Sequence, residues 1–113
     1  MKPGDIVLVD LPHIDASSAK LRPVLVLSVM PGRFGDRLVC GVSSQISECE
    51  PDWDEMISRA DPDFGNSGLR APSVLRLSWL AVVASRRIRG RIGSLSQQRL
   101  RRVCERLSAH LAS

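Results

Sequence analysis

Apolar residues in this chain fall in short clusters set between polar turns, and until the C-terminus none keeps a helical period. Ile6-Val7-Leu8-Val9 lies between Asp5 and Asp10 and is rich in β-branched residues, which predicts a strand over Asp5 to Asp10. Leu11 to Leu21 carries Pro12, Ser17 and Ser18 and loses the period, so it reads as a loop. Arg22 to Val29 is the second predicted strand, closed by Met30-Pro31-Gly32, with Arg33 to Asp36 continuing the turn. Arg37 to Ser44 is the third, and Gly41 within it marks a bulge or a tight bend. A short strand is expected around Asp54 to Ser58, and a turn over Asp61 to Gly68. Ser73 to Leu77 and Leu80 to Ala84 read as two more strands, and Arg86 to Ile92 extends the sheet. The first two strands are apolar on both faces, which suits a strongly curved small barrel or a sheet covered by a helix or a second subunit.

The period changes once. Leu100, Val103, Cys104, Leu107 and Leu111 follow helical spacing, Ser96 is a good N-cap, and Leu95 and Leu100 are placed as a hydrophobic staple. This predicts an amphipathic helix over residues 97–111, cladding the sheet, with Arg99, Arg102 and Arg106 on its other side and His110 near the last carbonyls. The expected fold class is mainly β with a C-terminal α-helix, in one domain spanning residues 1–113. A chain of that length buries about two-thirds of its unfolded surface without disulfide or metal.

Composition adds one pattern. The net charge is +4, but Glu48 to Asp63 holds seven acids and one base, whereas Arg86 to Arg106 holds eight arginines and one acid. Such polarity fits a polyanion or an acidic peptide meeting the C-terminal third, or else a solvated arginine-rich face. Cys40, Cys49 and Cys104 are odd in number and lack a C-x-x-C pair, which argues against a disulfide framework and a zinc site. No signal-type segment or membrane-length apolar run is present, so a cytoplasmic protein without a membrane partner is expected. No phosphate-binding Gly-rich loop or nucleophile elbow is found.

Candidate chemistry sits at strand ends. Pro23 fixes its own φ and pushes Arg22 toward an extended conformation, holding a guanidinium at a strand entrance. Ser43-Ser44-Gln45 delivers three hydrogen-bonding side chains where the third strand ends. In the first loop, His13 and Asp15 are close enough in sequence to pair.

Gly4 to Asp10, Arg22-Pro23 with its apolar run to Ser28, Ser43-Ser44-Gln45-Ile46, Ser67-Gly68-Leu69, Pro72 to Leu77 and Ile92-Gly93-Ser94-Leu95 occur in an order that resembles the MazF/PemK toxin family over nearly the whole chain. The resemblance implies an SH3-like small β-barrel of the CcdB/PemK plasmid-maintenance type, closed by a C-terminal helix and forming a homodimer. It further implies a metal-independent endoribonuclease that needs no cofactor, cuts single-stranded RNA to 2′,3′-cyclic phosphate and 5′-hydroxyl ends, and is held in check by a cognate acidic antitoxin. By position, the family's catalytic arginine falls on Arg22 and its catalytic hydroxyl, usually a threonine, on Ser43. Relatives often carry a Gly-rich first loop with a glutamate; here the loop reads Ala16-Ser17-Ser18-Ala19-Lys20, with Asp15 the nearest acid.

The chemistry of RNA suits these residues. A 2′-hydroxyl that attacks the adjacent phosphorus needs alignment, two proton movements and stabilisation of extra negative charge. Arg22 can bind two phosphate oxygens at once but retains its proton too strongly to be a base. Ser43 would orient a phosphate oxygen or the 2′-hydroxyl, and His13 and Asp15 are the nearby candidates to take the 2′ proton. Ser44, Gln45, His13, Asp15, Lys20 and Phe34 are the candidate substrate-binding residues, Phe34 as a stacking surface for a base. A competing expectation keeps the fold but not the cutting: a toxin that binds a protein target such as a topoisomerase, as CcdB-like toxins do, or that holds nucleic acid intact.

Overall fold

A computed structural model describes residues 1–10 and 21–113. The first loop, with His13, Asp15 and Lys20, lies outside the described residues. Six strands form one antiparallel sheet: β1 (Asp5–Asp10), β2 (Leu21–Val29), β3 (Arg37–Ser43), β4 (Glu55–Ile57), β5 (Ser73–Val83) and β6 (Ile88–Ser94). Their order is β4-β5-β3-β2-β1-β6, and helix α1 (Gln97–Leu111) follows. The expected mainly β fold with one C-terminal helix is thus present, as a curled sheet without β4–β6 pairing among the described residues.

The open seam is filled by chain. The segment after β4 lies against β6 so closely that a Cβ on Gly93 would stand 2.3 Å from the Asn66 carbonyl oxygen, and one on Gly68 2.1 Å from that of Ile92. Gly68 also has a φ of +75°, which L-residues rarely adopt. No side chain fits at either position.

Alternation along the strands sorts the core into two faces. Ile6, Leu25, Leu27, Cys40, Leu75 and Leu77 meet Leu95, Leu100, Val103 and Leu107 on the helix side. Val7, Val9, Val24, Val26, Val39 and Val83 form a second cluster on the opposite face, with Trp79, Ala81 and Ile88 packed against it. This explains why β1 and β2 are apolar on both faces: the helix covers one and curvature closes the other. Burial pushes the Cys40 thiol up to about 12, in keeping with a small core residue.

Strand β5 departs from expectation by being one strand rather than two. Its pairing with β3 jumps from Cys40↔Leu80 to Gly41↔Arg76, so Leu77, Ser78 and Trp79 form a bulge opposite a single peptide of β3, with Leu77 still buried in the core. The bulge takes in Ser78-Trp79, the pair that separates the two strands expected from the sequence.

Helix α1 starts as predicted, with the Ser96 hydroxyl accepting the Arg99 N–H at 3.2 Å and Leu95 and Leu100 both buried. Leu111, on the predicted apolar stripe, is instead 77% exposed in the last turn of the helix. The arginines depart further from expectation. Arg99 is only 6% exposed and donates side-chain hydrogen bonds to Asp63 (2.8 and 3.0 Å), Asp61 (3.0 Å), Glu55 (3.1 Å) and the Met56 carbonyl (3.1 Å). Arg102 also binds Glu55, and Arg106 reaches the Trp53 carbonyl at 2.8 Å. His110 does not simply cap the helix; its ring tilts against Trp53 with centroids 5.0 Å apart. Among the described residues, no helix is long and apolar enough to cross a membrane.

Candidate active site

The site begins where a ladder ends. Pairing between β2 and β3 stops at Val24↔Gly41, and the next residue toward the start of β2 is Pro23, which has no N–H to donate. Carried two residues further, the same register sets Arg22 opposite Ser43. Beyond the last pair the two strands frame a cavity of about 150 Å³ lined by Arg22, Gly41, Ser43, Arg76 and Trp79 among others. By strand alternation these side chains share the valine face, away from α1.

Ser43 is set by its own backbone. Its Oγ accepts the Gln45 N–H at 3.0 Å, a tight turn that occupies an acceptor lone pair and keeps the hydroxyl proton available to a ligand. Ser44 and Gln45 are exposed beyond it and shape the turn into a 3₁₀ helix over Ile46–Glu48, their carbonyls accepting the Ile46 and Glu48 N–H groups. They stand beside the cavity without lining it.

Phe34 is placed elsewhere. It is 71% exposed, in the loop at the far end of the β2–β3 hairpin, more than about 20 Å from Arg22 along a strand that rises ~3.3 Å per residue. The Arg33 guanidinium sits 5.0 Å from its ring centroid. Of the described candidates, the fold brings Arg22 and Ser43 together, keeps Ser44 and Gln45 adjacent and sets Phe34 apart.

Sequence reasoning passed over Arg76 and Trp79. Arg76 lies between the buried Leu75 and Leu77 and so points to the valine face. Its Nη1 is 3.5 Å from the Glu48 carboxylate and its Nε 3.6 Å from Asp54, whose side chain is buried. Trp79 leans on Gly41, where a Cβ would approach its ring at 3.3 Å. A lone arginine inside an apolar strand, followed by Ser78-Trp79, was the available signal; the bulge that turns both into one cavity was not.

Two guanidinium groups, a hydroxyl and an indole around one cavity make an anion site with an aromatic wall. Arginine suits phosphate because its planar fork meets two oxygens at once.

Comparison with known proteins agrees with this fold. The family model described as the PemK-like, MazF-like toxin of type II toxin-antitoxin systems matches residues 2–111. Among solved structures, the Mycobacterium tuberculosis toxin MazF-mt6 is similar at a TM-score of 0.68 and 18% identity, over 96% of each chain, a likeness of fold. No curated protein sequence matches.

Proposed function

The chain belongs to the PemK-like, MazF-like toxins of type II toxin-antitoxin systems, and from that premise we propose that it is an endoribonuclease whose catalytic pair is Arg22 and Ser43. The observation that carries this reading is the cavity at the end of the β2–β3 ladder, where both side chains face one space. The 2′-hydroxyl oxygen of the bound RNA attacks the adjacent phosphorus, the P–O5′ bond breaks, and the products are a 2′,3′-cyclic phosphate and a 5′-hydroxyl. Arg22 neutralises the charge that builds on the non-bridging oxygens, and Ser43 donates its hydroxyl proton to one of them in a hydrogen bond. The 2′ proton departs to a base, for which His13 and Asp15, on the loop leading into Arg22, are the acceptors the sequence offers. A proton from the guanidinium or from water completes the 5′-hydroxyl.

Serine in place of the family's usual threonine keeps the donor and removes a methyl group. The family also implies a dimer and an antitoxin, whose acidic, amphipathic segment would lie across Arg22 and Arg76 and block the cavity. Sizing at micromolar concentration tests the dimer, and a monomer there would count against it.

The direct test is cleavage of a long unstructured RNA in EDTA by the wild-type protein and by Arg22→Ala. Discrete cuts with cyclic-phosphate ends are expected, reduced ~10²–10³-fold in the variant, the usual cost of removing one transition-state donor. A folded wild-type protein that cuts no RNA pool would refute the nuclease and leave a toxin that acts by binding.

A further inference from the structure

We propose that the β5 bulge is a nucleotide platform, in which Trp79 stacks a base of the bound RNA and Arg76 holds the phosphate next to the scissile one. This rests on the ribonuclease reading and extends it to the contacts that seat the substrate. Leu77, Ser78 and Trp79 have no partners on β3, yet the bulge is braced from behind. Asp54 Oδ1 accepts the Leu77 N–H at 2.9 Å, and the Trp53 indole N–H donates to Ser78 Oγ at 2.7 Å. The brace is itself fixed, because Asp54 Oδ2 accepts the Glu50 N–H at 3.0 Å and Arg106 donates to the Trp53 carbonyl at 2.8 Å. Three unpaired residues are thereby held in one shape.

That shape lays the indole on the one residue of β3 that permits it. Gly41 brings ring and backbone into contact, and a Cβ there would meet the ring at 3.3–3.5 Å. Trp79 remains only partly buried and forms a wall of the cavity. An aromatic supported on one side and open on the other is what an unpaired base stacks on. Packing on the valine cluster alone would be served by any aliphatic side chain.

Arg76 supplies the second observation. Its Nε is buried without a hydrogen-bond partner, the Asp54 carboxylate being 3.6 Å away, and its Nη1 stands 3.5 Å from Glu48. Nearby carboxylates hold this guanidinium in place without saturating its donors. With Arg22 across the same cavity, two guanidinium groups face one space, Arg76 only partly offset by Glu48 and Asp54, an arrangement that suits two successive phosphates. Asp54 and Trp53 act through the bulge and are positioning residues.

The wild-type cut is first mapped on a long RNA. A short RNA spanning it, with a 2′-deoxy sugar at the cut, is then titrated with the wild type, Trp79→Leu, Trp79→Phe, Arg76→Met and Arg76→Lys. Trp79→Leu should weaken binding about 5- to 150-fold and Trp79→Phe should restore most of it, following the usual worth of one stacked base. Arg76→Met should flatten the slope of log affinity against log salt by roughly 0.7, with recovery in Arg76→Lys, as loss of one phosphate contact to a single strand predicts. In turnover assays both defects should raise KM more than they lower kcat. Thermal melts report the fold of each variant. Fluorine NMR of 5-fluorotryptophan-labelled wild type needs no substitution at the site: RNA should shift the Trp79 resonance and leave that of Trp53 in place. A wild type that cuts RNA while Trp79→Leu and Arg76→Met bind and cut equally well, or an unshifted Trp79 resonance at saturation, overturns the platform alone. A wild type that neither binds nor cuts overturns the nuclease and the platform together.

Discussion

Replacing Arg99 with methionine should be among the costliest single changes in the fold, because one side chain satisfies three carboxylates drawn from the segment between β4 and β5 and from β4 itself. Arg99→Met leaves Glu55 with Arg102 and Arg106, and Asp61, a third exposed, can take up water. Asp63 is the stranded group: its side chain is 10% exposed and would keep only the Ser96 N–H at 3.1 Å. Removing one partner of a buried pair costs about 3–5 kcal/mol, and the rehydration of Asp61 argues for the lower end, about 3 kcal/mol. With a urea m-value of ~2 kcal/mol/M for a domain of this size, the unfolding midpoint should fall by about 1.5 M. The assay is urea unfolding followed by far-UV circular dichroism at pH 7 and one fixed protein concentration, which keeps any dimer contribution constant. Asp63→Asn made on top of Arg99→Met should then cost far less than it does alone, since the carboxylate it removes has already lost its partner. A single-variant loss below ~1 kcal/mol, or full additivity of the pair, would show that the network is screened like a surface ion pair.

Other outcomes follow from the same geometry. The Arg99 hydrogen bond holds the Asp63 carboxyl down to about 2 from an ordinary 3.8. Its stabilisation is therefore full above pH 4 and lost as the pH falls through 2, about 2 kcal/mol in all; acid titration of unfolding should show that loss in the wild type and not in Asp63→Asn. Gly93→Ala should destabilise by about 2–3 kcal/mol or prevent folding, since its Cβ would meet backbone that cannot move aside, with thermal melts as the measure and an unchanged midpoint as the refutation. Ser43→Thr should retain cutting and Ser43→Ala should slow it ~10–100-fold at unchanged thermal stability, as loss of one hydrogen bond to a charged oxygen in a transition state implies; equal rates for the two variants would remove Ser43 from the mechanism.

The parts of this molecule that are local were legible in its sequence. The short β-branched clusters between polar turns yielded β1, β2 and β3 within a residue at each end, and Ser96 with Leu95 and Leu100 announced the start of α1 where the structure has it. Arg22 and Ser43 stood out because proline and a polar strand end are local signals too. What escaped depends on register. Nothing in Ser73 to Ala84 tells that three residues will bulge opposite the Cys40–Gly41 peptide, and so Arg76 and Trp79 read as ordinary strand residues. Phe34 attracted notice as an exposed aromatic in a loop, but only the hairpin's length reveals that its loop lies at the wrong end.

The charge pattern is the most instructive case, because its two expected meanings were a polyanion partner and a solvated face. Much of it is instead satisfied within the chain. Arg99, Arg102 and Arg106 face Glu55, Asp61 and Asp63, while Arg89 and Arg91 reach back to Asp10 and Asp5 on β1. A helix face on which Arg99, Arg102 and Arg106 are tied to carboxylates is a poor surface for RNA, since each phosphate contact at those residues would first have to displace an internal partner. On the opposite face of the sheet Arg22 and Arg76 converge on one cavity, and Arg76 keeps only long contacts of 3.5 and 3.6 Å to Glu48 and Asp54. Segregation of acids and bases into separate stretches therefore serves the fold: it fastens α1 across β4 and braces the turn behind the β5 bulge through Arg106 and Trp53. The same ion pairs that look like a binding surface in sequence are what hold the binding surface in shape.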